Sequence, residues 1–317
     1  MRDELLEVGY CQVPFAVPEI QRADFARVSS AVIDLAVADT RVREALTFSL
    51  VPEYSGRVNP TLFAVSGAQN SGDDKTWIHL GYLSREFADS RIPERNQPAE
   101  LRALWNPLRA KLFELEVSTC HALDNLGLPE LKPVIFHPDP RKRVVLSRTV
   151  KYHNALAAEV GDELVSGHGD QSFATVHEAE THGGWFQIAP YPQHLMMHED
   201  TEERRAAIQV VREATVPIEM DHENMVAFFF GVSLKNFCDA YGLNLAEVPG
   251  AYHLGRRPAS DDEVVSQFAN DISDTDRVSV VNFMHPNLDI IRAGLYKIAS
   301  VSQCRPKYQL PIEPSTK

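Results

Sequence analysis

Glu163-Leu164-Val165-Ser166-Gly167-His168-Gly169-Asp170-Gln171-Ser172-Phe173-Ala174-Thr175-Val176 sets a histidine and a carboxylate between two strand-like runs. In a strand, residues i and i+2 point to the same face, so His168 and Asp170 can grip one ion from one side. A third ligand must then come from a different strand and can lie far away in sequence. His253, in Ala251-Tyr252-His253, is the candidate. Two histidines and one carboxylate form the facial triad that holds non-haem Fe(II) and leaves coordination positions open for oxygen chemistry. Beyond it, Arg277-Val278-Ser279 offers an arginine and a serine that can clamp the carboxylate of an organic acid. Metal ligands plus an acid clamp imply oxidation of a small molecule with O2 and a 2-oxo acid.

A bare H-x-D is a weak signal, more often a polar turn than a metal site, and the chain contains three. His137-Pro138-Asp139 runs into Pro140-Arg141-Lys142-Arg143 and reads as a turn. His198-Glu199-Asp200 precedes Thr201-Glu202-Glu203-Arg204-Arg205, a helix start with acidic residues in its first turn. Only His168 lies between strand-like runs. His222, in Asp221-His222-Glu223-Asn224, rivals His253 as the distal ligand, although its surroundings read as a turn.

The 317 residues suffice for one large domain or two small ones. A hydrophobic content of 44% and a charged content of 24% fit a chain that buries a real core. The net charge of −13 argues against nucleic acid or an anionic membrane as the main partner. No apolar run is long enough to span a bilayer, and Met1-Arg2-Asp3-Glu4-Leu5-Leu6-Glu7 lacks the apolar stretch of a signal peptide. Cys11, Cys120, Cys238 and Cys304 are scattered and form no C-x-x-C, which fits free thiols in a reducing cytoplasm.

Residues 1–130 read as a helical and loop-rich part packed on a core formed by residues 131–317. Gly9 to Phe15 reads as an opening strand, residues 19–37 and 40–48 as helices, and 52–98 as loop-rich. The strongest helix covers 99–126, with Leu101, Leu104, Trp105, Leu108, Leu112, Phe113, Leu115 and Val117 on its apolar face and Pro107 as a possible reset. From about 133 to 285 short β-rich runs recur: Arg143–Val150, Phe173–Val176, Trp185–Ile188, Met225–Phe230 and Val278–Met284. Many short strands separated by turns predict a β-sandwich or barrel. Insertions near 199–214, a charged helix, and 256–276, a polar acidic segment, interrupt this region, and Asn287 to Val301 reads as a closing helix.

Taken in order, these runs resemble the Fe(II)- and 2-oxoglutarate-dependent oxygenases of the isopenicillin N synthase-like branch. Lys151-Tyr152-His153 falls where that branch has an Asn-Tyr-Tyr-Pro-like strand end. His168-Gly169-Asp170 stands for its H-x-D, and Gly183-Gly184-Trp185-Phe186-Gln187 for its Gly-Gly-Leu-x-Val strand. Met225 to Gly231 resembles the segment ending in its Gly-Asp-x-Leu turn, and Ala251-Tyr252-His253 the distal histidine strand. Arg277-Val278-Ser279, with Phe283 to Asn287, resembles its Arg-x-Ser strand and Asn-Pro-like end. The resemblance implies a mainly β fold with flanking helices, built on a double-stranded β-helix, or jelly roll, with iron in its mouth. His168, Asp170 and His253 are then the metal ligands. Arg277 and Ser279 receive the distal carboxylate of 2-oxoglutarate, and Tyr152 is a further donor to it. No arginine directly follows the distal histidine. Leu254 stands there, with Arg256 and Arg257 shortly after, so all three arginines remain candidates for the clamp, Ser279 favouring Arg277.

The implied activity is hydroxylation, or another oxidation, of a C–H bond in a polar small molecule of secondary metabolism, with O2 as cosubstrate. A same-fold iron oxidase that uses no 2-oxoglutarate, a silent jelly-roll binding protein and a structural zinc protein are the alternatives. The six acidic residues of 256–276 predict a cationic substrate, since that segment begins and ends near the iron site.

Overall fold

The computed structural model describes residues 1–50, 63–66, 75–180, 184–191, 202–218, 224–241, 249–258 and 276–293. Within them, eleven strands form two sheets: β1 (Cys11–Pro14), β2 (Phe63–Ser66), β3 (Lys75–Gly81), β4 (Val145–Tyr152), β5 (Glu163–His168), β6 (Ala174–Glu180), β7 (Phe186–Tyr191), β8 (Val216–Pro217), β9 (Met225–Phe230), β10 (Gly250–Arg256) and β11 (Arg277–Met284). The larger sheet has the order β1-β9-β6-β11-β4-β3-β2 and the smaller β5-β10-β7-β8, with antiparallel pairings. From β4 to β7 the chain changes sheet at every step, and it does so again from β8 to β11. That alternation is the jelly roll.

The larger sheet is covered on both sides. Along β11, Val278 and Val280 pack against Ala26 of the helix Glu19–Ala38, while Arg277, Ser279, Val281 and Phe283 line a cavity between the sheets. This explains why Phe228-Phe229-Phe230 is apolar without alternation. Phe228 and Phe230 join the helix-side core and Phe229 joins the inner cluster with Phe186 and Ile188. Each such ring contributes roughly 1.5–3 kcal/mol by leaving water.

A register shift in β6 has a consequence for the site. Val280 pairs with Ala179 but Val281 pairs with His177, so Glu178 is an extra residue, a β-bulge. The bulge sends Glu178 to the helix side, where Lys111 Nζ meets it at 2.7 Å, and leaves Glu180 on the cavity side beside Arg277. Lys111 also donates to Ser147 Oγ at 2.8 Å and lies 3.9 Å over the Phe25 ring. Asn282 Nδ2 and the Arg22 guanidinium bond Glu178 as well, through its carboxylate and its carbonyl. This buried polar cluster ties the first 130 residues to the sheet.

The structure corrects three expectations. Residues 52–98 are more than loop: β2, β3 and the helix Ser84–Arg91 lie there, and β3 pairs with β4 along seven residues. The helix expected over 99–126 is two, Ala99–Ala103 and Trp105–Asn125, breaking at Leu104 just before Pro107. Phe113 and Val117, expected on its apolar face, are exposed, while Leu108, Leu112 and Leu115 are buried. The charged helix near 199–214 is observed as Glu202–Glu213, and the closing helix is described over Leu288–Arg292, where the Asn287 side chain caps it. The acidic part of the 256–276 insertion, His198 and His222 lie outside the described residues, apart from Asp276.

Candidate metal centre

His253 and His168 are direct cross-strand partners in the β10–β5 pairing. Their rings stand 4.4 Å apart between centroids. Strand β5 ends at His168, so Asp170 is not its i+2 neighbour in a strand as expected; it sits in the turn that follows. That turn is anchored by Val232 N–H, which donates to the Asp170 carbonyl at 2.8 Å. A Cβ at Gly169 would lie 2.4 Å from Val232 Cγ1, and one at Gly231 would lie 2.1 Å from the Ser172 carbonyl oxygen. Glycine at both positions lets the turn fold back against β10 and the helix Val232–Tyr241.

The turn delivers Asp170 Oδ1 to 3.8 Å from His168 Nε2 and 3.5 Å from His253 Nε2. One donor atom from each residue lies within 4.8 Å of the others, and among the described residues these three are the group of that kind. Neighbours fix the donors. His168 Nδ1 lies 2.8 Å from the Ser166 carbonyl, so Nδ1 carries the proton and Nε2 presents its lone pair. Thr175 Oγ1 donates to Asp170 Oδ2 at 2.8 Å, which turns Oδ1 toward the histidines. Ser172 Oγ lies 2.9 Å from the same threonine hydroxyl.

His253 is held differently. Its buried Nδ1 has no hydrogen-bond partner among the described residues. Instead its ring stacks on Phe186 at 5.0 Å and 20°, and Phe186 stacks on His177 at 4.2 Å and 18°. Burial pushes His253 down to about 4 and His177 down to about 3. His253 is therefore neutral at physiological pH, as a metal ligand must be. Two imidazole nitrogens and a carboxylate oxygen fit a borderline divalent ion such as Fe(II).

The cavity holding these residues has a volume of about 380 Å³. Arg277, Ser279 and Tyr152 line it together with His168, Asp170 and His253. Arg277 is opposite Tyr152 in the β11–β4 register, and its guanidinium carbon stands 4.9 Å over the Tyr152 ring. Glu180 binds Arg277 Nη2, while Nε and Nη1 are buried without a hydrogen-bond partner. Buried N–H groups left unmade cost roughly 1–3 kcal/mol each, so an acceptor is called for here. The other two arginines are engaged elsewhere: Arg256 pairs with Glu163 at 3.0 Å and Arg257 bonds the Leu156 and Ala158 carbonyls. Trp185 is a core residue, 4% exposed, behind Arg277. His137 lies in its expected turn, accepting from Asp139 N–H at 3.0 Å.

Sequence reasoning missed several residues in and around the cavity. Thr175 and Glu180 belong to strand runs where polarity carries no periodic signal. Lys75, Trp77 and His79 lie on β3, inside the stretch read as loop. Arg148 lies in the strand run Arg143–Val150 and His285 in the Phe283–Asn287 strand end, where neither carries a site signal, yet both face the cavity. Burial, together with the Arg148 cation, pushes His285 down to about 4.

No family model matches the chain, and no curated protein matches it by sequence. Solved structures do match by shape. Dioxygenase for auxin oxidation 1 from Arabidopsis thaliana, solved with 2-oxoglutarate, aligns over 91% of this chain and 87% of its own, with 14% identity and a TM-score of 0.52. JOX2, solved with 2OG, Fe and JA, aligns over 90% of this chain and 70% of its own, with 15% identity and a TM-score of 0.52. At such low identity the shared property is the fold, and this chain has the jelly-roll fold of the 2-oxoglutarate and Fe(II) oxygenases.

Proposed function

We propose that this chain is an Fe(II)- and 2-oxoglutarate-dependent oxygenase that oxidises a C–H bond of a small organic molecule, with hydroxylation as the default outcome. The observation that carries this reading is the convergence of His168 Nε2, Asp170 Oδ1 and His253 Nε2 in one cavity with Arg277. His168, Asp170 and His253 would hold the metal. Fe(II) with 2-oxoglutarate and O2, when bound, supplies the oxidising power, and 2-oxoglutarate leaves as succinate and CO2.

The protein's part is placement. Thr175 and Ser166 hold Asp170 and His168 in donor orientation, and the Phe186 stack holds His253. Arg277 receives the distal carboxylate of 2-oxoglutarate through Nε or Nη1, with Ser279 and Tyr152 beside it, while Glu180 fixes the guanidinium plane. Val165, Phe186 and Leu254 give the cavity apolar walls that exclude water. The order of the motifs supports the isopenicillin N synthase-like branch and a chain organised as residues 1–130 packed on 131–317. Free Cys11, Cys120 and Cys238 support a cytoplasmic setting, and no helix among the described residues is long and apolar enough to cross a membrane.

One observation favours a second reading. Glu180 already sets a carboxylate on Arg277, as suits an oxidase of the same fold that uses no 2-oxo acid. Oxygen uptake and succinate release, measured with Fe(II) in the presence and absence of 2-oxoglutarate, separate the two. The first reading requires both signals to depend on 2-oxoglutarate and on His168. Equal oxygen uptake without 2-oxoglutarate would select the second.

A further inference from the structure

The cavity has a second polar station that the metal centre and Arg277 do not use. On the floor of the larger sheet, the row Lys75–Tyr152–Arg277 crosses β3, β4 and β11. Four residues along β11, the row His79–Arg148–Val281 crosses the same strands. Four residues of strand span roughly 13 Å. The two arginines therefore serve separate places along one cavity.

Arg148 is held in a defined plane. Its Nε donates to His79 Nε2 at 2.5 Å. Its guanidinium carbon stands 4.5 Å over the Phe283 ring and 5.5 Å over the Trp77 ring. Cation–π contact and a fixed Nε leave the guanidinium pre-organised, so little entropy is lost when it takes up a planar acid. His285 faces the same space, while Leu146, Val150 and Val281 give the surrounding floor apolar character.

The charge of the lining points the same way. Among the described residues it carries three cationic side chains, Lys75, Arg148 and Arg277, against one carboxylate, Asp170, and Glu180 is paired with Arg277 beside it. Asp170 belongs to the metal centre, and Arg277 to the cosubstrate. The sign is opposite to the one expected from the acidic 256–276 insertion, whose bulk lies outside the described residues.

We propose that the molecule oxidised here is an organic anion, a carboxylate on an apolar aromatic or aliphatic body, and that Arg148, backed by Trp77 and Phe283 and held by His79, receives the carboxylate. The inference rests on the oxygenase reading above, which makes this cavity the seat of the oxidised molecule. Arg148 is then a specificity-determining residue, and the apolar body extends from it toward His168 and Asp170.

The test is calorimetry on the full chain loaded with Co(II) and saturating 2-oxoglutarate. The probes are 3-phenylpropionate and octanoate, with 3-phenylpropionamide and 3-phenylpropylamine as neutral and cationic counterparts. Both acids bind, and the amide and amine bind at least about tenfold more weakly, the loss expected for one charge-assisted hydrogen-bonding group. Arg148→Gln weakens the acids roughly ten- to a hundredfold. Arg148→Lys, which keeps the charge but not the fork, falls between, and circular dichroism checks that both variants fold. Arg277→Ala weakens 2-oxoglutarate and leaves the phenylpropionate affinity within a factor of about two, because distant independent sites add. The inference is overturned if neither acid binds at millimolar concentration, if the amine or amide binds as tightly as the acid, or if folded Arg148→Gln keeps full affinity. If 2-oxoglutarate shows no metal-dependent binding while the acids still depend on Arg148, the anion site stands and the oxygenase reading falls.

Discussion

Lowering the pH from about 7.5 to about 5.5 should destabilise the metal-free protein steeply, through three imidazoles buried in their neutral form. Burial pushes His177 down to about 3 and His253 and His285 down to about 4, from an ordinary value of 6.5. Between 6.5 and about 4 the unfolded chain binds protons at these positions and the folded chain does not. Stability therefore falls as pH falls through 6.5 and levels off, for these groups, below about 3. At about pH 5.5 each unfolded imidazole is roughly nine-tenths protonated, which costs the folded state about 1.4 kcal/mol per residue. The three together cost about 4 kcal/mol, a large part of the roughly 5–15 kcal/mol that holds a domain folded. Urea unfolding of chelator-treated protein at the two pH values measures the difference. The Asp39, Asp139 and Asp276 carboxylates are held below their ordinary value of 3.8 and so titrate outside this window. His177→Gln, away from the metal ligands, should remove about a third of the effect. Stability that is unchanged or higher at the lower pH would refute the assignment of neutral buried imidazoles.

Three further outcomes follow from the same geometry. His168→Ala and Asp170→Ala should abolish stoichiometric Fe(II) or Co(II) binding in a protein that stays folded, and Thr175→Val should weaken it roughly 10–100-fold, as read by calorimetry; full-strength binding by the first two would remove the metal assignment. Arg277→Ala should weaken 2-oxoglutarate by ~2–5 kcal/mol while leaving metal binding intact, whereas Arg256→Ala should leave both unchanged; the reverse pattern would move the clamp. Lys111→Met leaves the Glu178 carboxylate buried without its cation, so it should lower unfolding free energy by ~3–5 kcal/mol without touching the cavity; a loss under about 1 kcal/mol would show the cluster to be incidental.

The strands of the jelly roll were largely legible because their causes are local. Met225–Phe230 and Arg277–Met284 are β-branched and aromatic runs bounded by turn residues, and His168-Gly169-Asp170 stands between two such runs. Strand β3 was not legible: Lys75-Thr76-Trp77-Ile78-His79-Leu80-Gly81 follows a segment rich in Gly, Asn, Ser and Asp, and only pairing with β4 makes it a strand. The bulge at Glu178 was equally hidden, because register is a property of two strands.

By itself, the sequence determined the residue types of the candidate site and the order of the elements that carry them, since donor chemistry and local periodicity are written in consecutive residues. It left three arginines as possible acid clamps and two histidines as possible distal ligands. Tertiary structure set His253 opposite His168, turned Asp170 toward both, engaged Arg256 with Glu163, and put Arg277 and Arg148 on one cavity floor. These are long-range decisions: strand pairing and sheet packing join side chains from about eighty to about a hundred and thirty residues apart, and no local pattern encodes which of them will meet.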